Sequence, residues 1–285
     1  MKKPALQDEA FLADVADARL EGDRLHIWWL GQSGFLVLWQ NSFLLLDPYL
    51  SDSLTQKYAR TNKPHVRLTE RVIAPEKLDF VTVVTSSHNH TDHLDAETIR
   101  PLLTANPNLT MLVPAANRTF AAERLQVAPE RLTTVVCGQP QIIGQWRFHA
   151  VPAAHEELAV DENGNHRFIG LVVEVGPWTI YHSGDTMRYA GMANWLKPFS
   201  IDVAMLPING RDPARGVAGN LSGAEAVQLA QECGIKEIIP CHFDMFEFNT
   251  VKPDAFVTAA ERAGQAYHLL QNGERWSLLP GDGKR

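Results

Sequence analysis

The stretch Ser86-Ser87-His88-Asn89-His90-Thr91-Asp92-His93 packs three imidazoles and a carboxylate into the six residues from His88 to His93. It ends Asp79–Ser86 (DFVTVVTS), an apolar run of the kind that a buried strand requires. Crowding so many polar groups at a strand end is costly unless a cation draws them together. In extended backbone, residues two apart point the same way, so His88 and His90 can face one ion together. A turn after them swings Asp92 and His93 to the other side, where they can serve a second ion. Neutral imidazole with carboxylate suits zinc, manganese or iron, whereas calcium and magnesium favour all-oxygen shells.

Further ligands are then expected where other strands end. His155 follows the strand Trp146–Val151 in VPAAHEE, Asp185 follows Trp178–His182 in YHSGDT, and His242 follows Glu237–Pro240 in IPCHFD. Together with the first cluster they complete a two-ion shell.

The rest of the chain supplies the frame. Phe11, Leu12, Val15 and Leu20 recur on a helical period across Asp8–Leu20, behind an Asp that can cap the helix. Leu25–Leu30, Gly34–Trp39 and Ser42–Asp47 read as a meander of short strands broken by Gly31-Gln32-Ser33 and Gln40-Asn41. Asp95 can cap a helix through Ile99 to Leu103, with Pro101 limiting its length. Leu109–Val113, a helix Ala115–Arg124 and Leu132–Val136 then alternate as βαβ units do. The second half repeats the rhythm. Strands Trp146–Val151, Arg167–Val175, Trp178–His182 and Asp202–Pro207 lead to a helix Ser222–Cys233. Glu237–Pro240, a helix Pro253–Ala263 and a strand Arg275–Leu279 follow. The expectation is a single α/β (α+β) domain over residues 1–285, helices outside packed sheets, with 1–24 as an N-terminal helical extension.

Composition narrows the partners. A net charge of −7 from 26 basic and 33 acidic residues disfavours nucleic acid and anionic membranes and leaves a small-molecule substrate. Cys137, Cys233 and Cys241 are odd in number and lack CxxC spacing, which fits a reducing, cytoplasmic setting. No apolar run approaches the ~18 residues of a membrane span. Homo-oligomerisation is compatible with all of this.

HNHTDH (His88–His93), followed in order by His155, Asp185 and His242, resembles the metallo-β-lactamase superfamily of metallohydrolases. Within it the chain is most similar to the ascorbate-6-phosphate lactonase-like branch, through IWWLGQSGF (Ile27–Phe35), IYHSGDT (Ile180–Thr186), IDVAMLPINGRDPARG (Ile201–Gly216) and IPCHFDMF (Ile239–Phe246). The resemblance spans roughly Leu25 to Pro253. It implies a four-layer αββα sandwich with the site at one edge. It also implies that His88, His90 and His155 bind one metal, that Asp92, His93 and His242 bind the other, and that Asp185 bridges them. The cofactor implied is one or two divalent ions, Mn2+ or Zn2+.

Such an ion lowers the pKa of bound water to about 7 and polarises a carbonyl or phosphoryl oxygen, so hydrolysis is the natural reaction. Asp92 or Asp185 can orient the resulting hydroxide and take part in proton transfer. His182, three residues before Asp185, can hydrogen-bond a ligand or substrate, or serve as a buried structural histidine. Asp47 can accept the far N–H of a ligating histidine, or end its strand in a turn before Pro48. Asn209, Arg211, Arg215 and Asn220 share the loop after Asp202–Pro207 and can bind an anionic group. Lys57, Tyr58 and Arg60 read as a solvated basic stretch or as a cover for the site. Of Trp28 and Trp29, alternation sends one to the core. Glu156 is a second acid or half of an exposed pair with Glu157, and Asp244 is a turn residue.

The leading expectation is a lactonase, a carboxylic ester hydrolase opening a small sugar lactone that is phosphorylated or otherwise anionic. The alternatives are phosphodiester hydrolysis and a metal-binding module without catalysis.

Overall fold

Strands β1 (Leu25–Gly31), β2 (Gly34–Trp39) and β3 (Ser42–Leu46) pair antiparallel, as the meander reading expects. Their side chains alternate between two apolar clusters rather than between core and solvent. Ile27, Trp29, Phe35, Val37, Leu44 and Leu46 enter one cluster, whereas Trp28, Leu30, Leu36, Leu38, Phe43 and Leu45 enter the other. A sheet apolar on both faces must be covered on both, and that requirement produces the layers.

The computed structural model describes residues 1–279. Beyond β3 the first sheet continues through the parallel strands β4 (Val83–Thr85), β5 (Thr110–Pro114) and β6 (Leu132–Val135). The second sheet runs β7 (Pro140–Ile143), β8 (Trp146–Pro152), β9 (Ile169–Val175) and β10 (Trp178–His182), all antiparallel. It then turns parallel through β11 (Val203–Pro207), β12 (Glu237–Cys241) and β13 (Ala266–Tyr267). β14 (Arg275–Leu278) returns to the free edge of β1, so each sheet has seven strands.

Helices α1 (Asp8–Ala18), α3 (Ala96–Ala105) and α4 (Arg118–Leu125) cover the outer face of the first sheet through Phe11, Val15, Ile99, Leu102, Ala121 and Leu125. α5 (Met192–Leu196), α6 (Gly223–Cys233) and α7 (Asp254–Ala263) cover the second through Leu196, Leu229, Ala230, Phe256 and Ala260. Between the sheets, Trp29, Val37 and Leu46 share a cluster with Phe148, Val173 and Met205. The result is an αββα sandwich. Between α1 and α3 lies a short α2 (Ser53–Tyr58), packed by Leu54 and Tyr58 on Tyr49, Met245 and Phe246.

Several boundaries differ from expectation for local reasons. The strand at Asp79–Ser86 shortens to β4, because Phe80 sits in a turn against Phe43, ring centroids 4.6 Å apart, and pairing starts only after it. α1 is preceded by Gln7 with no side-chain cap, and Leu20 lies past its end, 85% exposed. Ala115–Asn117 is a tight 3-10 turn that feeds α4. Leu279 falls outside β14. Both Trp28 and Trp29 are core residues. Trp28 donates to Asp14 at 2.8 Å beneath α1, and Trp29 packs on Phe243 with centroids 4.8 Å apart. Among the described residues no helix is long and apolar enough to cross a membrane.

Candidate metal centre

The parallel strands settle where the functional side chains meet. β3 and β4 run side by side, as do β10, β11 and β12, so their C-terminal ends open on one edge of the sandwich. Asp47 follows β3, His88 follows β4, Asp185 follows β10 and His242 follows β12. His155 arrives from the end of β8. After His88 the backbone folds back, with Leu94 N donating to His90 O at 2.8 Å, and this turn separates Asp92 and His93 from His88 and His90. Gly184, at φ 56°, lets the Asp185 turn approach closely, since a Cβ there would lie 2.7 Å from Ile169 O and from Ser87. Asp47 (φ 38°) and His242 (φ 63°) are themselves left-handed, a conformation costing roughly 1–2 kcal/mol per non-glycine residue. His242 N is held by Gln32 O at 2.9 Å.

Two sets of ligand atoms result. One nitrogen each from His88, His90 and His155 lie within 4.8 Å of one another, and so do single atoms from Asp92, His93, Asp185 and His242. Asp185 stands between the sets: Oδ1 is 3.2 Å from His93 Nε2, and Oδ2 is 3.2 Å from His242 Nε2 and 3.7 Å from His155 Nε2.

The far nitrogens are already committed. His93 Nδ1 donates to Asp47 Oδ2 at 2.7 Å, His155 Nδ1 to Gly219 O at 2.8 Å, and His88 Nδ1 lies 3.0 Å from Ser87 Oγ. Each ring is thereby turned with Nε2 inward, the arrangement that orients metal-ligating histidines. His88 Nε2, His93 Nε2 and Asp185 Oδ1 are buried with no hydrogen-bond partner among the described residues. Orphaned buried polar atoms are expensive, and divalent cations held by the two sets would satisfy all three. The donor set therefore fits a divalent metal.

Electrostatics agree with that fit. Burial alone opposes charge on His93, yet Asp185 and Asp92 hold its pKa well above the ordinary imidazole value. Against the same desolvation, Asp185 and Asp92 lift His242 to about 9. Burial and neighbouring imidazoles push His90 down to about 4 and His88 well below its usual range. Burial opposes ionisation of Asp92 and Asp185 as well, but the cationic rings beside them keep both carboxyls well below the usual range. Before an ion arrives, protons on His93 and His242 hold its place. Metal uptake near neutral pH should therefore release protons, and apparent affinity should climb as pH rises toward about 9, where His242 is half neutralised. Calorimetry in buffers of different ionisation enthalpy counts those protons; none released would contradict this charge state.

Residues 43–243 match the beta-lactamase superfamily domain model. The chain belongs to that superfamily. A UPF0173 metal-dependent hydrolase of Metallosphaera sedula is 27% identical over 258 residues, covering 88% of this chain and 99% of its own length. Among solved structures, the metallo hydrolase Igni18 of Ignicoccus hospitalis aligns with a TM-score of 0.64 at 18% identity, over 90% of this chain and 98% of its own. An isothiocyanate hydrolase from Delia radicum gut bacteria gives 0.71 at 15% identity, over 90% and 100%. These structures share the superfamily fold. At this general level the chain is a metal-dependent hydrolase.

The candidate site opens into a cleft of about 330 Å³, lined by His90, Asp92, His155, Asp185 and His242. In and around it stand residues that the sequence did not single out. Gln32 donates to Asp92 Oδ2 at 2.8 Å, and Arg124 reaches from α4 to Asn89 O and Leu94 O behind the histidine loop. Lys63, His65 and Asn249 line the cleft beside Lys57 and Tyr58, whereas Arg60 is exposed outside it. Gln32 carried a signal in retrospect, since it sits inside the Gly31–Gly34 turn of the IWWLGQSGF motif.

Other anticipated residues stand further back. His182 Nε2 donates to Ser33 O at 2.8 Å and Nδ1 accepts from Gly184 N at 3.3 Å. With both nitrogens committed to backbone, it braces the Asp185 turn rather than reaching the cleft. Arg211 is paired with Glu156 at 2.7 Å, and Glu156 also accepts from Gly219 N. Neither lines the cleft. Arg215, Asn209 and Asn220 form a hydrogen-bonded set behind Asn249. Asp244 pairs with Lys2 of the N-terminal arm at 2.6 Å.

Proposed function

We propose that this protein hydrolyses a small anionic carboxylic ester, a lactone first among them, using two divalent ions. His88, His90 and His155 would hold one ion, Asp92, His93 and His242 the other, and Asp185 both. The observation that carries this reading is Asp185, buried between two ligand sets with its two oxygens 3.2 Å from His93 Nε2 and from His242 Nε2. A bound divalent ion supplies a Lewis acid and a water acidic enough to ionise near neutral pH.

The chain's own residues do the rest. His155, fixed by Gly219 O, and His93, fixed by Asp47, hold their rings without reorganisation as charge develops. Asp92 faces the cleft with its side chain 16% exposed, and Gln32 fixes one of its oxygens. Asp92 is the acceptor best placed to take a proton from the attacking water and return it to the leaving oxygen. In a lactone that oxygen remains tethered and the product is a hydroxy acid. The cleft volume supports a small substrate, being at the lower end of the ~300–1,000 Å³ usual for small-molecule sites. The motifs shared with the ascorbate-6-phosphate lactonase-like branch support the lactone.

The test is acid release from ascorbate-6-phosphate lactone in a pH-stat, with metal-stripped protein and with protein reloaded with manganese or zinc. Metal-dependent ring opening that exceeds turnover of bis(p-nitrophenyl) phosphate is expected. Turnover confined to the phosphodiester would overturn the ester reading and leave the metallohydrolase standing.

A further inference from the structure

The cleft wall beyond the metal ligands reverses the sign of the molecule. In a chain of net charge −7, it presents Lys57 and Lys63, and the only carboxylates described there are Asp92 and Asp185 of the metal set. Lys57 Nζ approaches a hydroxyl, Thr91 Oγ1 at 3.4 Å, and Lys63 Nζ donates to the backbone oxygen of Gly216. The described residues give neither lysine a carboxylate partner.

The same cleft is lined by Asn249, whose amide orientation is dictated chemically. Its Oδ1 accepts from Arg215 Nη1 at 3.0 Å and from Asn209 Nδ2 at 2.9 Å. A guanidinium can only donate, so the atom facing Arg215 must be the oxygen. That leaves Nδ2, with two N–H donors, as the side-chain group available to the cleft that Asn249 lines. The lock extends inward: Arg215 Nη2 donates to Asn209 O at 2.8 Å, and Asn220 Nδ2 donates to Asn209 Oδ1 at 3.0 Å. Asn209 and Asn220 are 1% and 2% exposed, so this array is internal structure rather than a chance surface contact.

The geometry points to an oxyanion subsite on this wall, taking a phosphate or carboxylate carried by the substrate away from the bond that is cleaved. Lys57 and Lys63 supply charge, and Asn249 supplies oriented donors. Arg215, Asn209 and Asn220 are positioning residues that act through Asn249. The inference rests on the proposed hydrolysis for its substrate but not for its binding chemistry.

Calorimetry on the metal-loaded protein separates the contributions. Gluconate, glucarate and 6-phosphogluconate share one carboxylate, so any metal contact common to all three cancels. A second anionic group is expected to tighten binding by roughly 10- to 100-fold over gluconate, the scale of charge-assisted hydrogen bonds. The two charged probes distinguish a carboxylate from a phosphate preference. Asn249→Asp keeps an oxygen for Arg215 and Asn209 but replaces both donors with an anionic oxygen, so the preference should vanish while the thermal midpoint holds. Arg215→Gln should weaken the preference and Arg215→Lys restore it. Arg60→Met, outside the cleft, should leave it intact. Equal binding of the three acids by the wild type, no binding of either charged probe, or an undiminished preference in Asn249→Asp overturns the subsite. Selectivity without ring opening of any lactone would leave the subsite standing and remove the hydrolytic reading; ring opening without selectivity would do the reverse.

Discussion

Replacing Asp185 with alanine is expected to reduce metal-dependent turnover by about 10³-fold or more, because metal-derived stabilisation of several kcal/mol falls at about 1.4 kcal/mol per tenfold. Among the described residues, Asp185 is the one carboxylate within reach of His93, His155 and His242 together. Without it the two ligand sets lose their shared anion, and His93 and His242 lose a neighbour that raises their pKa values. Thermal unfolding separates this loss from misfolding. A ligand at 100 times its Kd stabilises the native state by about 2.7 kcal/mol, so wild-type protein should gain midpoint on adding metal. The variant should fold and gain much less. Undiminished turnover with metal content intact would contradict the role given to Asp185.

Asp47 to alanine should damage the fold as much as the site. Its buried carboxylate accepts from Thr85 Oγ1 at 3.0 Å, Ser87 N at 3.0 Å, Ser87 Oγ, and His93 Nδ1 at 2.7 Å. Burial opposes its charge, yet the hydrogen bond from His93 and the His182 ring nearby keep its pKa below the usual range. Removing one partner of such a buried charged network costs about 3–5 kcal/mol. Asparagine is only a partial remedy, since its NH2 would confront donors where the carboxylate accepts. Loss of a partner behind a ligating histidine weakens metal affinity by about 10- to 100-fold. Chemical denaturation of the metal-free protein reads the first effect and competitive chelation the second. A variant of wild-type stability would show that Asp47 is a turn residue.

The clustering of the candidate metal ligands is the most legible part of the sequence, for a physical reason. Strand ends are short-range features, and a histidine or aspartate directly after an apolar run is readable without knowing what faces it. Four such ends converge because parallel strands place like ends on one edge. What the sequence left open are partnerships across the fold. Gln32 meets Asp92 from 60 positions away, and the motif around it marks a turn without saying which side chain it reaches. Arg211 and Arg215 looked equivalent in one loop, yet Glu156 engages the first and Asn249 the second. Lys57 reads as solvated because α2 is only six residues long and shows no amphipathic period; tertiary packing of Leu54 and Tyr58 brings it to the cleft. The paired tryptophans mislead in the same way, since alternation implies one dry face only if the other is wet, and here both are covered.

The most direct test of the account is a titration of manganese or zinc into chelator-stripped protein, with bound metal and lactone ring opening measured on the same samples. Turnover should be absent without metal, rise with metal content and level off at two ions per chain. Ring opening by the stripped protein, or a fully loaded protein that opens no lactone or ester, would contradict it.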